Sequence, residues 1–166
     1  MSNNVPTIAD LLSFFPEVSL PFTITEESMD HFRLTNEDLP FALVNAFLEE
    51  WEGVDEDDMT EYFPCLKLPS EEQYECIIYW RAAFLKYEYI LTTINKAGEV
   101  IARRVIAGSR YEGSHFLKSA ARVDEDRIIH IMTGIMSADQ NELDPELSKP
   151  YNMEIMPSGE IISYKE

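Results

Sequence analysis

The densest group of side chains with chemical potential is an acidic run between Glu49 and Glu61. It holds eight carboxylates: Glu49, Glu50, Glu52, Asp55, Glu56, Asp57, Asp58 and Glu61. An EF-hand calcium loop needs a glycine at its sixth position, and counting from Asp55 that position is Thr60. We therefore assign no metal ligand. The run is interpreted as a solvated helix end, with a docking patch for a basic protein as the functional alternative and a loose metal site as the third.

Two adjacent arginines, Arg103 and Arg104, are the most informative basic residues, because consecutive strand residues point to opposite faces of a sheet. If Gly98 closes a bulged turn, Ile90 lies opposite Arg103. A four-residue reversal near Leu85 would then place Ile90 on the face of Trp80. Arg103 is then the inward arginine. It is either a rim residue whose head reaches water or part of an anion site, and a one-residue error in register would exchange it with its neighbour.

Other polar candidates accompany Arg103. Tyr79 falls on the less apolar face of its predicted strand, His115 opens a strand, and His130 points away from the apolar face of its own. No nucleophile elbow or orienting acid identifies a Ser–His pair or a Cys65–His pair, so we predict no catalytic residue. Arg103, Tyr79, His115 and His130 remain as candidate binding residues.

Motifs for cofactors fail on inspection. The segment Gly108–His115 spaces its glycines like a P-loop, but Ser114 stands where lysine is needed and Glu112 would repel phosphate. We expect a glycine-rich turn there. Cys65 and Cys76 form no CxxC pair, which favours two small buried residues over a disulfide, zinc or redox role. The sequence therefore predicts no cofactor.

The charge is strongly acidic, with a formal net value of −18. It is concentrated before residue 63, where fifteen acids face a single base, Arg33. Such a field repels nucleic acid and anionic membranes and attracts a cationic partner. We expect a basic protein as partner, and neither nucleic acid nor membrane.

The elements that position these residues are predicted to begin with helices. Thr7 and Asp10 have the spacing of a capping box, and the apolar stripe that follows ends at Pro16. A brief helix is predicted over 26–32 and a longer one between Asp38 and Gly53. The predicted apolar face of the longer helix is Phe41, Val44, Phe47, Leu48 and Trp51.

From about residue 62 the apolar period changes to two, which is typical of strands. The clearest strand is Tyr74–Phe84, where alternate positions are all apolar and Trp80 is expected inside. Hairpin turns are predicted at 95–98 and 156–159, each closed by glycine, and a third reversal at 124–126. The polar segment 137–150 is predicted to be one long loop.

Together these patterns predict an α+β fold, with two to three N-terminal helices packed on one face of a curved antiparallel β-meander of about seven strands. We expect one domain over 1–166, divided into a mainly helical acidic part (1–61) and a sheet part (62–166). No signal peptide and no apolar run of ~20 residues is visible, which favours a soluble, cytoplasmic protein.

No motif identifies a function. The leading hypothesis is a non-enzymatic acidic protein that docks a basic partner, as an immunity protein or antitoxin does. The alternative is a small-ligand-binding protein or enzyme with a pocket inside the curved sheet, using Arg103, Tyr79 and the histidines. A third interpretation is a homo-oligomer formed through an exposed edge strand.

Overall fold

The computed structural model describes residues 5–53, 60–137 and 149–164. Within these ranges the chain forms helices followed by one antiparallel sheet of nine strands, which confirms the α+β prediction but exceeds the predicted seven strands. The strands are β1 (Phe22–Ile24), β2 (Glu61–Lys67), β3 (Tyr74–Ala83), β4 (Lys86–Asn95), β5 (Val100–Glu112), β6 (His115–Val123), β7 (Ile128–Ser137), β8 (Lys149–Ile155) and β9 (Ile161–Tyr164). Most of the predicted loop 137–150 lies outside the described residues.

The helices form where the sequence predicts them, although their bounds differ from the predicted ones. In α1 (Ile8–Leu12) the Thr7 hydroxyl and the Asp10 carboxylate each accept a backbone N–H of the other, which confirms the capping box. The brief helix, α2 (Ser28–Thr35), begins two residues later than predicted. The longer helix consists of α3 (Phe41–Leu43), a π-helical turn (Val44–Leu48) and α4 (Glu49–Glu52). We call it helix 41–52.

Strand order follows the chain from β2 to β9, so the predicted meander is present. The described part of β1 adds one exception, because it pairs with the last three residues of β6. That edge is open there because β5 pairs only with residues 115–119 of β6. Both predicted glycine turns form: Gly98 and Gly159 have φ values of 90° and 92° and donate their amides to Asn95 and Met156.

Two hydrophobic cores lie on opposite faces of β3 and β4. The first contains Tyr74, Cys76 and Ile78 and is covered by α2 and by strands of the second half of the sheet. The second contains Ile77 and Tyr79 and is covered by α1 and helix 41–52. The sequence had predicted that the helices pack on one face of the sheet. Instead α2 packs on one face, and α1 and helix 41–52 pack on the other.

The register across the β3–β4 hairpin differs from the expected one. Ala83 lies opposite Lys86, so the turn has two residues rather than four. As a result Ile90 lies opposite Tyr79 and belongs to the second core, away from Trp80. Arg103 lies opposite Thr92 and therefore shares this second face.

β5 continues through the segment that had been predicted as a glycine-rich turn. A bulge leaves Ile106 without a cross-strand partner between Val105 and Ala107, and such a bulge bends its strand. Gly108 follows at φ 135°, where an added Cβ would lie 2.0 Å from the Tyr87 carbonyl oxygen. Only glycine fits so close to the neighbouring backbone, and the actual turn comes at Gly113.

Candidate functional site

A buried carboxylate lies where helix 41–52 ends against the sheet. The Glu52 side chain is only 3% exposed. The Tyr79 hydroxyl donates to Glu52 Oε1 at 2.6 Å, and Arg103 Nε donates to the same oxygen at 2.6 Å. Arg103 Nη2 donates to the second oxygen, Oε2. Two predicted binding residues, Arg103 and Tyr79, are thus brought together, and Glu52 is what joins them.

A second ion pair extends this cluster across the sheet. Arg81 Nε lies 3.6 Å from Glu52 Oε2, and Arg81 Nη1 lies 3.2 Å from Glu88 Oε1. Burial, followed by the nearby Glu52 charge, raises the pKa of Tyr79, so its hydroxyl stays protonated and acts as a donor. We call these five residues the Glu52 network. Its two carboxylates and two guanidinium groups balance, which suits an anchor for the helix end better than a catalytic group.

The predicted histidines lie elsewhere. His130 has an exposed side chain on β7, with Nε2 2.9 Å from Asp124 Oδ2 and Nδ1 3.1 Å from Asn152 Oδ1. His115 is exposed at the start of β6. The described contacts therefore join neither histidine to Arg103.

The acidic run divides into buried, surface and undescribed members. Glu52 is enclosed in its network and unavailable to a partner. Glu49 is half-buried, while Glu50 and Glu61 are exposed. The other four predicted docking residues lie outside the described residues: Asp55, Glu56, Asp57 and Asp58.

A cleft of about 710 Å³ lies beside helix 41–52 and the start of β2. Its walls combine carboxylates with aromatic rings. We call it the acidic cleft. Its lining includes Arg33, Asp38, Phe41, Glu49, Glu61, Tyr62, Phe63 and Trp80. Two surface members of the acidic run, Glu49 and Glu61, therefore face one concave site.

One cation already lies against the aromatic wall of the acidic cleft. The guanidinium carbon of Arg33 lies 5.4 Å from the ring centroid of Phe63 and 5.0 Å from that of Trp80. These two residues are cross-strand neighbours on β2 and β3, and we call their rings the aromatic shelf. Within the described ranges the Arg33 guanidinium makes no hydrogen bond or ion pair, and cation–π attraction holds it against the two rings.

Sequence reasoning missed Arg33 and Phe63 and placed Trp80 wholly inside, whereas Trp80 is partly buried against the first core. One available signal was that Arg33 is the single base among the first 62 residues. The pairing of Phe63 with Trp80 depends on a bulge after Pro64, which the sequence pattern does not reveal.

The two thiols are buried and free. Burial raises the pKa of Cys76 to about 12 and that of Cys65 well above its ordinary value. Both therefore stay protonated near neutral pH, which makes them poor nucleophiles. Among the described residues no group of three or more His, Cys, Asp or Glu side chains is placed to hold a metal ion.

Comparisons with protein-family models, curated proteins and solved structures found no match to this chain. In the ranges that the structure describes, no helix has the length and apolar character needed to span a bilayer.

Proposed function

We propose that this chain is a binding protein whose acidic cleft docks a cationic segment of a basic protein. One observation carries the proposal: three carboxylates and an aromatic shelf that already holds a guanidinium line the same cleft. Small inhibitory proteins of the immunity or antitoxin kind are the class that this proposal fits.

Electrostatics favours a cationic occupant. The side-chain carboxylates of Asp38, Glu49 and Glu61 make no hydrogen bond or ion pair with another described residue, so their charges are open to a ligand. The acidic N-terminal half of the chain adds a long-range field that raises the encounter rate with basic proteins. The lining holds three carboxylates and one guanidinium group, that of Arg33, so its formal charge stays negative.

Apolar contact supplements the charge. Phe41 is 77% exposed at the beginning of helix 41–52, although its spacing had predicted a place on the apolar face. Together with the half-buried Trp80 it offers aromatic surface for the stems and planar heads of arginine side chains. Exposed aromatic residues beside a concave site are typical of binding surfaces.

The Glu52 network supports the proposal by holding the cleft wall in place. Glu49 is three residues before Glu52 in the same helix, so anchoring Glu52 to Arg103 and Tyr79 also fixes the position of Glu49. A wall fixed before binding avoids part of the entropy cost of ordering it in the complex.

The experiment is a titration with a peptide of nine arginines, followed by the fluorescence of Trp80 in a Trp51→Phe background, where Trp80 is the one tryptophan left. We expect saturable binding that changes Trp80 emission and weakens as salt shortens the Debye length. Binding that leaves Trp80 emission unchanged, or that is equally tight at high salt, would contradict the proposal.

A charge-matched pair of variants separates the cleft from general acidity. Asp38→Asn/Glu49→Gln/Glu61→Gln removes the three cleft carboxylates, and Glu72→Gln/Glu125→Gln/Asp126→Asn removes three exposed carboxylates elsewhere. At ~0.5 kcal/mol for each of the three charges, or about 1.5 kcal/mol together, the first variant should lose roughly tenfold in affinity. The second should lose much less. Equal losses would mean that the peptide senses only net charge.

A further inference from the structure

A polar row crosses five strands of the sheet at one level. Arg81 lies opposite Glu88, Glu88 opposite Gly108, Gly108 opposite Ser119, and Ser119 opposite Thr133. Directly opposed residues of antiparallel strands share a face. These side chains therefore stand in line on the same side of the sheet, with a gap at the glycine.

The gap opens into a cavity of about 220 Å³. Its polar lining includes Glu88, Arg110, Ser119 and Thr133, and its apolar lining includes Val105, Leu117 and Ile131. Glu88 is only 8% exposed, although it carries a charge. On the far side of Gly108 the Ser119 and Thr133 hydroxyl oxygens lie 2.9 Å apart and share one hydrogen bond. Neighbouring strands are ~4.8 Å apart, so the carboxylate and this hydroxyl pair face each other across roughly 10 Å.

Hydrogen-bonding groups and apolar side chains together line this cavity, which suits a neutral ligand with several hydroxyl groups. Arg81 already pairs with Glu88, and Arg110 in the lining interacts with another group, so no net negative charge is left to attract a cation. A carboxylate accepts hydrogen bonds, and Ser and Thr hydroxyls both donate and accept. Tyr151 also lines the cavity and is 39% exposed, whereas the Tyr87 ring stacks on Trp80 on the other face of β4.

We propose that this cavity binds a small neutral polyhydroxyl compound of the size of a single sugar ring. At ~30 Å³ for each water, the volume corresponds to about seven waters, which one such ring would displace. Hydroxyl groups at its two ends bond Glu88 and the Ser119–Thr133 pair while the ring lies over Gly108. The site is separate from the acidic cleft and does not depend on the function proposed above.

The test uses ligand-observed NMR and calorimetry with glucose, galactose and mannose as probes and ethanolamine as a cationic comparison. We expect at least one sugar to bind in the millimolar range or tighter. Glu88→Gln keeps the shape but removes the acceptor charge, and should weaken that sugar about tenfold or more. No detectable sugar binding, or preference for ethanolamine, would overturn the proposal.

Glu88 also belongs to the Glu52 network, so Glu88→Gln changes that network as well as the cavity. A second variant therefore changes only the other wall of the cavity. Ser119→Ala/Thr133→Val changes the opposite wall, whose two hydroxyl groups form no hydrogen bond with that network among the described residues, and should also weaken the sugar about tenfold. The exposed Thr23→Val and the triple cleft variant should leave sugar binding unchanged. Sugar binding that survives changes to both walls would show that it occurs elsewhere and would also overturn the proposal.

Discussion

Glu52 and Arg103 are 51 residues apart in the chain, yet the guanidinium group of one bonds both carboxylate oxygens of the other. Their pair joins the end of the last described helix to a central strand of the sheet. Tyr79 adds a third hydrogen bond from the neighbouring part of the sheet. The acidic N-terminal part is thereby fixed to the sheet at a buried, charged contact.

Replacing Glu52 by glutamine should lower the free energy of unfolding. Removing one partner of a buried ion pair costs ~3–5 kcal/mol, and because the Arg103 side chain is 30% exposed we expect about 1–3 kcal/mol. Urea unfolding at neutral pH measures the change. The exposed neighbour Glu50→Gln serves as control, with a change within ~0.5 kcal/mol. Equal effects of the two variants would show that the pair contributes no stability.

Adjacent buried threonines on β4 give a matched test of hydrogen-bond satisfaction. Thr93 Oγ1 donates to the Gly159 carbonyl at 2.6 Å and accepts the Ala102 amide, whereas Thr92 Oγ1 is buried without a partner among the described residues. Thr93→Val should therefore cost about 1–3 kcal/mol of unfolding free energy. Thr92→Val should be neutral or stabilising. Chemical denaturation measures the unfolding free energy of both variants. A larger loss in Thr92→Val than in Thr93→Val would contradict the assigned hydrogen bonds.

The β3–β4 turn carries backbone strain. Leu85 has φ 59° and is 46% exposed, a left-handed conformation that costs a non-glycine residue ~1–2 kcal/mol. Leu85→Gly should raise stability by about 1 kcal/mol, less the extra freedom of glycine in the unfolded chain. Leu85→Ala, which keeps the same steric conflict, should gain nothing. Thermal unfolding gives the stability of the two variants. An equal gain in both would mean that the exposed leucine side chain, and not backbone strain, lowers the stability of the native chain.

The buried Cys76 thiol makes stability depend on alkaline pH. Its pKa is raised by burial to about 12, against ~8.5 in an unfolded chain. Above pH ~8.5 the unfolded state loses this proton first, so stability falls as pH rises, by ~1.4 kcal/mol per pH unit. Between pH 8.5 and 10.5 the native chain should thus lose about 2–3 kcal/mol more than Cys76→Ala does. Urea unfolding at several pH values measures this difference. The same dependence of the unfolding free energy on pH in both proteins would contradict a raised pKa for Cys76.

Much of the fold could be predicted because local signals and tertiary structure agree. The Thr7–Asp10 capping box, the end of helix 41–52 at Gly53 and the turns at Gly98 and Gly159 depend on local backbone chemistry. The burial of both faces of β3 could not be predicted in the same way. Ile77 and Tyr79 are buried by helices distant in sequence, and alternation alone cannot show what covers a mixed face.

Less of the candidate site could be predicted. The prediction that Arg103 lies opposite Ile90 on the face of Trp80 was wrong, because the turn at Leu85 is two residues shorter than expected and a bulge in β5 shifts the pairing, so Arg103 lies opposite Thr92 on the face of Tyr79. Its partner Glu52 had been grouped with the surface acids because composition does not distinguish a buried carboxylate within an acidic run. The cavity at Gly108 depends on a bulge in β5 that has no clear sequence signal.

The most direct test of cationic docking is a ¹H–¹⁵N NMR titration of the full chain with the nine-arginine peptide. We expect shifts to concentrate at the backbone amides of Arg33, Asp38, Glu61 and Phe63 and at the indole N–H of Trp80, which line the acidic cleft. Shifts confined to other acidic positions such as Glu125 and Asp126, or spread evenly over the surface, would contradict the proposed docking site.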